Sequence, residues 1–357
     1  MKALVTANLD EASLERLTDD LGVEVDYRPI AERDRRVPPE ELKRLLSDVE
    51  LFVVGFEGVS AEVMDAAPDL EIVACTRGGP DANVDIAAAT ERGIPVLYAP
   101  GRNAVSVADF TMGMVLAAAR HIAHGHHLLH AGEYTGEPRK DSATGGERED
   151  VTWGVAAGSP YAELKGPELS GKTFGVVGLG AIGRKVAERA AGFGVDLVGY
   201  DPFVDTEEMA DLGVEKVDLD ELCERSAFVS VHVPVTDATR GLIGEREFER
   251  MGEDAFFVNT ARGAIVDQGA LVAALESGDL RGAALDVYDR EPLPEDHPLL
   301  EIDSVVTTPH LAGAAEEVVD HHSAMIVEDV AALLDGGRPE HVANEETLTS
   351  APDVGDD

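Results

Sequence analysis

Apolar and polar positions follow two periods along this chain. Short apolar runs at Ala3–Thr6, Val23–Tyr27, Leu51–Val54, Ile72–Cys75 and Pro95–Tyr98 have the length and character of buried strands. Between them lie amphipathic stretches of helical spacing, near residues 11–21, 38–47, 60–67 and 84–92. Such alternation predicts a parallel sheet with helices on its faces. Pro100-Gly101 interrupts it, and a long helix is expected from about Asn103 to about His130. A second series of apolar runs follows at Phe174–Val177, Val195–Tyr200, Phe228–Val233, Ala255–Asn259, Ala283–Leu285 and Ser304–Thr307. A last helix, about Glu316–Leu334, has nowhere to pack except back on the first unit or along the hinge. Residues 132–170, with Gly145-Gly146 and the lone Trp153, are rich in Gly, Pro and charge and have no sustained periodicity. A stretch of that kind is a lid, an oligomer contact or disorder, and sequence does not choose among them.

The apolar run Phe174–Val177 breaks at Gly178-Leu-Gly180-Ala-Ile-Gly183 and continues as a helical stretch. In a strand–turn–helix unit, Gly178 permits the turn, Gly180 lets backbone approach a pyrophosphate, and Gly183 lets helix pack on strand. The helix N-terminus then offers free N–H groups to phosphate. The next strand ends in Asp201, where a carboxylate for ribose hydroxyls is expected. A 2′-phosphate at about 4 Å from that carboxylate would meet a repulsion on the order of 4 kcal/mol at an effective dielectric near 20, which favours NAD over NADP.

Three further positions lie just past strands, where ligands gather in a doubly wound sheet. They are Arg262, after the strand ending at Asn259; Glu291, after Leu285-Asp286-Val-Tyr288; and His310, after Thr307-Thr308-Pro309. Each alone has a bland reading, as a surface cation, a surface acid or a turn histidine. Together a cation, a carboxylate and an imidazole are what moving a hydride and a proton at a carbonyl requires.

Composition narrows the setting. The 357 residues, enough for two domains, hold 70 acidic against 29 basic side chains, a net charge of −41 spread over the whole length. That suits a halophilic α/β enzyme with a solvated acidic surface and argues against a nucleic-acid partner. Two cysteines, Cys75 and Cys223, are too few for a disulfide framework. Met1-Lys2 runs straight into a strand, and the most apolar helical stretch, Val105–Ala119, contains Asp109. A cytoplasmic protein without a membrane partner is therefore expected. His121, His124, His126, His127 and His130 crowd one helix end and are read as a solvated or dimer-facing terminus, with no metal site expected.

Taken in order, Arg77-Gly-Gly-Pro-Asp-Ala-Asn-Val-Asp85, Asn103–Asp109, Gly178–Gly183 with Tyr200-Asp201-Pro202, His232-Val-Pro-Val-Thr236, Asn259–Asp267, Leu285-Asp-Val-Tyr with Glu291-Pro292, and Thr308–Gly313 resemble the D-specific 2-hydroxyacid dehydrogenase family, which contains D-3-phosphoglycerate dehydrogenase. The resemblance implies an α/β fold of two Rossmann-like domains with parallel sheets. Residues 1–100 plus 315–344 would form a flavodoxin-like substrate domain, 101–314 an NAD-binding Rossmann domain, and 345–357 an acidic tail. It further implies Arg262, Glu291 and His310 as catalytic residues, and Gly178, Gly180, Ala181, Ile182, Gly183, Asp201, Val233, Ala261 and Asp286 as contacts for NAD, with Asp286 meeting the nicotinamide carboxamide. Arg77 and the N–H groups of Gly78 and Gly79 would receive substrate, and the protein would be a homodimer.

The expected activity is NAD-dependent interconversion of a 2-oxoacid and a D-2-hydroxyacid, with His310 as general acid and base. The alternative within the family is 3-phosphoglycerate oxidation in serine synthesis, without a regulatory module after residue 340. Phosphoglycerate enzymes usually carry an Arg just after the third strand of the first domain, where this chain reads Gly55-Phe56-Glu57, and a Glu there would repel phosphate unless Arg77 compensates. The discriminating feature is whether Arg77 or Arg33, Arg35 and Arg36 reach the substrate's far end. From another class, the same fold serves NADH-sensing co-repressors.

Overall fold

The computed structural model describes residues 1–135 and 158–350. These fall into two compact units, Met1–Asn103 with Ala315–Asp357, and Ala104–Ala314.

In the first unit, strands β1 (Lys2–Val5), β2 (Glu24–Tyr27), β3 (Leu51–Val54), β4 (Ile72–Cys75) and β5 (Val96–Tyr98) form a wholly parallel sheet in the order β2-β1-β3-β4-β5. Side chains along a strand point alternately to opposite faces, and here both faces are buried. Leu4, Phe52, Val54, Val73 and Cys75 pack under the helices Pro39–Leu45, Ala61–Asp65 and Ile86–Glu91. Their neighbours Ala3, Val5, Leu51, Val53 and Ala74 pack on the opposite face with Leu17, Ile326, Val327 and Val330. Continuous apolar runs, without a polar alternate, are what such doubly covered strands require. The last three residues of that list belong to the helix Glu317–Leu334, which is thus a layer of the first unit. After it, Val342 bridges Leu97 at the sheet edge, and buried Asn344 accepts the Val96 N–H at 2.8 Å. Residues Glu345–Ser350, within the expected acidic tail, form a short helical turn.

The second unit carries β6 (Thr173–Val177), β7 (Asp196–Tyr200), β8 (Glu215–Lys216), β9 (Phe228–Val231), β10 (Phe256–Asn259), β11 (Gly282–Leu285) and β12 (Val305–Thr307). All pair in parallel in the order β12-β11-β10-β9-β6-β7-β8. The order reverses beside β6, so a crevice opens at the carboxyl end of the strand that precedes the glycine turn. The helices Ala104–Ala119 and Ala181–Ala191 cover one face of the sheet, with Phe174, Phe228 and Phe256 beneath them. Leu222, Phe248 and Leu271, from the helices Leu219–Arg225, Glu245–Met251 and Gln268–Ser277, cover the other.

One expected element divides. The helix from Asn103 to His130 is two helices, Ala104–Ala119 and Ile122–His130, bent by 65° at a break. His121 stands there in the left-handed region at φ 52°, a conformation that cannot continue a right-handed helix. No single helix among the described residues is long and apolar enough to cross a membrane. Of the irregular stretch 132–170, the part from Ser159 onward has a Ser159-capped turn of helix, Pro160–Glu163, and a buried Leu169. Gly145, Gly146 and Trp153 lie outside the described residues.

Candidate active site

Register fixes the site before any side chain is considered. Tyr200, Val177, Val231, Asn259, Leu285 and Thr307 pair in one row across β7, β6, β9, β10, β11 and β12. Gly178, Asp201, Val233, Ala261, Arg262, Asp286, Glu291 and His310 therefore all follow one sheet edge. From β6 to β11 is three strand spacings, about 14 Å, so the edge presents an elongated binding line.

The glycine turn has little freedom. Gly178 adopts φ 91°, and a Cβ there would stand 2.6 Å from Val233 Cγ1 and 2.9 Å from the His232 carbonyl. A Cβ on Gly183 would come within 1.9 Å of Gly178 O, the close approach of helix to strand expected of this position. Gly180, by contrast, has open space where its Cβ would be, directly before the N-terminus of the helix Ala181–Ala191. Ala181 is exposed and Ile182 half-buried in that first turn. An open approach to unpaired helix N–H groups fits the phosphates of a dinucleotide. Asp201 accepts the Leu179 N–H on Oδ2 at 2.8 Å and the Phe203 N–H on Oδ1 at 2.9 Å, tying the second strand to the glycine turn. His232 is buried beneath this turn, its Nε2 2.8 Å from Ser230 Oγ and its Nδ1 without a partner among the described residues. Burial pushes its pKa down to about 3, so the ring is neutral.

At the other end of the row, His310 Nδ1 lies 2.7 Å from Glu291 Oε2, and Glu291 Oε1 accepts the Tyr288 N–H at 3.1 Å. The Tyr288 hydroxyl in turn donates to the Leu285 and Thr308 carbonyls, both at 3.0 Å. His310 is half-exposed and stands at φ 58°. A left-handed histidine costs on the order of 1–2 kcal/mol, and Asp286 holds it there. The His310 N–H donates to the Asp286 carbonyl at 2.9 Å, and the N–H groups of Leu311 and Ala312 donate to its carboxylate at 2.7 and 2.8 Å. Thr308 Oγ1 donates to the same carboxylate at 2.6 Å.

Asp286 is fully buried, and its carboxylate is tied to the loop that carries His310. Asp286 thereby braces the histidine loop. Asn259 plays the matching part for Arg262: its Oδ1 accepts the Ala261 N–H and its Nδ2 donates to the Arg262 carbonyl, both at 2.9 Å. Ala261 is buried, Val233 half-buried, and the Arg262 side chain is exposed, its Nη1 donating to the Ala261 carbonyl at 2.6 Å. No carboxylate pairs with it among the described residues. An imidazole with one nitrogen held by a carboxylate and the other free can take up or release a proton at the free nitrogen. An unpaired guanidinium can hold an anion or a developing oxyanion.

In the first unit, Arg77, Gly78 and Gly79 follow β4, with Gly78 and Gly79 exposed. The Arg77 carbonyl accepts the Ala99 N–H at 3.0 Å, its Nη1 donates to Asn83 Oδ1 at 3.1 Å, and its guanidinium lies 5.6 Å from the Phe56 ring centroid. Asp81 Oδ1 stands beside Gly79. Glu57 does not present a charge to solvent. Its fully buried carboxylate accepts from Thr6 Oγ1 at 2.7 Å, from both terminal nitrogens of Arg33 at 3.0 and 3.1 Å, and from the Phe56 and Val37 N–H groups at 3.3 Å. The repulsion of phosphate expected from Glu57 is thus neutralised internally, and Arg33 is committed to that pair. Arg35 and Arg36 are exposed. Sequence reasoning did not single out Asn259, Tyr288, His232 or Arg102, the last donating to His322 Nδ1 at 2.9 Å. Buried Asn at a strand end was the available signal for the first. Among the described residues no three His, Cys, Asp or Glu side chains come together as metal ligands.

Comparison with known proteins agrees with this geometry. The sequence model of "D-isomer specific 2-hydroxyacid dehydrogenase, NAD binding domain" matches residues 112–312. The chain is 38% identical to the D-3-phosphoglycerate dehydrogenase of Methanocaldococcus jannaschii over 96% of its own length, spanning 59% of that protein. It is also 38% identical to the glyoxylate reductase of Thermofilum pendens, with 98% of this chain and 96% of that one covered. Among solved structures, the TT0316 protein of Thermus thermophilus superposes with a TM-score of 0.78 at 33% identity, covering 96% of this chain and 100% of the other. The chain belongs to the D-isomer-specific 2-hydroxyacid dehydrogenase family, and residues 112–312 are its NAD-binding domain.

Proposed function

We propose that this protein is an NAD-dependent oxidoreductase that interconverts a 2-oxoacid and a D-2-hydroxyacid, with His310 as general acid and base. The observation that carries the reading is the 2.7 Å contact between His310 Nδ1 and Glu291 Oε2, which leaves Nε2 free. A carboxylate accepts only, so Nδ1 carries its hydrogen in both states, and the proton that moves is the one on Nε2. In the reducing direction Nε2 gives that proton to the carbonyl oxygen, and in the oxidising direction it takes the hydroxyl proton. Glu291 stabilises the imidazolium and fixes the ring plane. Arg262 holds the substrate carboxylate and polarises the carbonyl, a contribution on the order of 3–4 kcal/mol. Asp286 and Asn259 are positioning residues that hold the loops carrying His310 and Arg262.

NAD, when bound, supplies the hydride acceptor or donor. Gly178, Gly180, Ala181, Ile182 and Gly183 would receive its phosphates, Asp201 its ribose, and Val233 and Ala261 would flank it. The N–H groups of Gly78 and Gly79, with Arg77, would receive the substrate. The protein would be a homodimer, and the acidic composition supports a cytoplasm of high salt.

Oxidation of NADH in molar KCl, followed with glyoxylate, pyruvate, hydroxypyruvate, longer 2-oxoacids and phosphohydroxypyruvate, tests the reading. Turnover with at least one of these acids is expected. Absence of turnover across the panel would overturn it.

A further inference from the structure

Besides Arg16, two half-buried guanidinium groups, Arg77 and Arg102, face no carboxylate among the described residues of a chain with net charge −41. They arise side by side. Cys75 and Tyr98 pair in register at the carboxyl ends of β4 and β5. Arg77 follows the first by two residues and Arg102 the second by four. The bond from Ala99 N–H to the Arg77 carbonyl locks the two strand ends together. A Cβ on Gly78 would lie 3.4 Å from Ala99 O and 3.7 Å from Gly101 N, so the Gly78-Gly79 loop runs directly beside the segment that carries Arg102.

Both guanidiniums are held by neutral partners. Arg77 is aimed by Asn83 and Phe56. Arg102 donates to His322 Nδ1, and His322 Nε2 lies 2.7 Å from the Asn8 carbonyl. A carbonyl accepts only, so Nε2 carries the hydrogen and Nδ1 is the acceptor that Arg102 needs. The Arg102 carbonyl is also tied to the same helix, 3.0 Å from His321 Nδ1. Burial, and then the charge of Arg77, hold Arg102 below its ordinary pKa. That is the signature of a cation whose charge is uncompensated.

We propose that Arg102, beside Arg77, receives a second anionic group on the substrate. The preferred substrate class is thus a 2-oxoacid whose side chain carries a carboxylate or a phosphate. This rests on the reading above, in which Gly78 and Gly79 meet the substrate. Arg102 acts on specificity and His322 positions it. Two cations left unpaired by the fold cost stability unless something else compensates them, and a dianionic ligand does so while a monoanionic one leaves Arg102 bare.

Two measurements test this. The first is the ratio of kcat/KM for two-anion acids to that for glyoxylate and hydroxypyruvate, in the wild type, Arg102→Gln and Arg102→Lys, each checked for a Tm no lower than that of the wild type. Oxaloacetate and 2-oxoglutarate probe a far carboxylate, and phosphohydroxypyruvate probes a far phosphate. The wild-type ratio for one of the two groups is expected to exceed about 10, to fall about 30-fold in Arg102→Gln through KM, and to recover in part in Arg102→Lys. A wild-type ratio below one for both groups, or the same ratio in Arg102→Gln, overturns the inference while the oxidoreductase reading stands.

The second measurement, titration calorimetry with malonate and with pyruvate, does not depend on turnover. Malonate is expected to bind the wild type more tightly than pyruvate does and to lose that advantage in Arg102→Gln. Equal malonate binding by both proteins overturns the inference even if no acid is reduced.

Discussion

A histidine beside a carboxylate can in principle exchange protons at either ring nitrogen, and in His310 the contact with Glu291 leaves only Nε2 open to do so. Nδ1 is occupied at 2.7 Å, and the left-handed backbone of His310, held by three N–H bonds to Asp286, points the ring and its free Nε2. The same kind of accounting applies to Glu57 in the first unit. Burial alone would raise its pKa, but the Thr6 hydroxyl, the backbone N–H groups and Arg33 outweigh burial and hold the carboxyl below its ordinary value. A group whose folded pKa is depressed stabilises the fold above its unfolded pKa, and that stability is lost as pH falls through the folded value. Glu57→Gln should therefore lower stability by about 3 kcal/mol at neutral pH, since it leaves Arg33 half-buried and unpaired. The difference in Tm between wild type and variant should hold above the ordinary glutamate pKa and narrow progressively as pH falls below it. An equal difference at pH 3 and pH 7 would contradict this.

Among the elements, the strand–glycine turn–helix unit is the most tightly specified. Gly183 packs its Cα against the Gly178 carbonyl, and a methyl group there would stand 1.9 Å from that oxygen. Overpacking of this kind costs about 1–3 kcal/mol, and the turn that must move is the one proposed to meet the dinucleotide. Gly183→Ala is expected to weaken NADH binding about tenfold or more, measured by fluorescence titration, with far-UV circular dichroism unchanged. Binding as tight as wild type would show that the turn has slack.

This unit was legible in the sequence because its constraints are local: three glycines, an apolar run before them and a carboxylate one strand later. The break at His121 was not, because Val105–Ala119 and the following histidines carry one continuous helical pattern and no Gly or Pro marks the left-handed residue. Glu57 was misjudged for a related reason. A sequence gives the position of a charge along the chain but not the direction in which its side chain turns, and its partner Arg33 lies 24 residues away.

At the scale of the whole molecule, the row of strand ends explains how residues as far apart in sequence as Gly178 and His310 come to one edge. Parallel pairing was readable from the alternation of apolar runs and helices, while the register that sets the row came from the structure. Arg102 and Asp286 were harder. The first looks like any other basic residue until its lack of a carboxylate partner is seen, and the burial of the second depends on Leu311 and Ala312 closing over it.

The charge of −41 acts on the molecule as a whole. Self-repulsion spread over the surface is screened over about 10 Å at 0.1 M salt and about 3 Å at 1 M. Raising KCl from 0.1 to 2 M should raise Tm by 10 °C or more, and light scattering at 2 M should give twice the chain mass. A Tm independent of salt would contradict the role given to the acidic surface, and a mass of one chain would contradict the dimer.

The most direct test of the chemistry assigned to His310 is the turnover of His310→Ala on the best acid of the panel, measured beside NADH affinity in the same molar KCl. The expected result is a kcat at least about a hundredfold below wild type with NADH bound as before. A kcat within a few-fold of wild type would mean that the proton reaches the carbonyl from another group, and that the Glu291–His310 pair is not the acid and base of this enzyme.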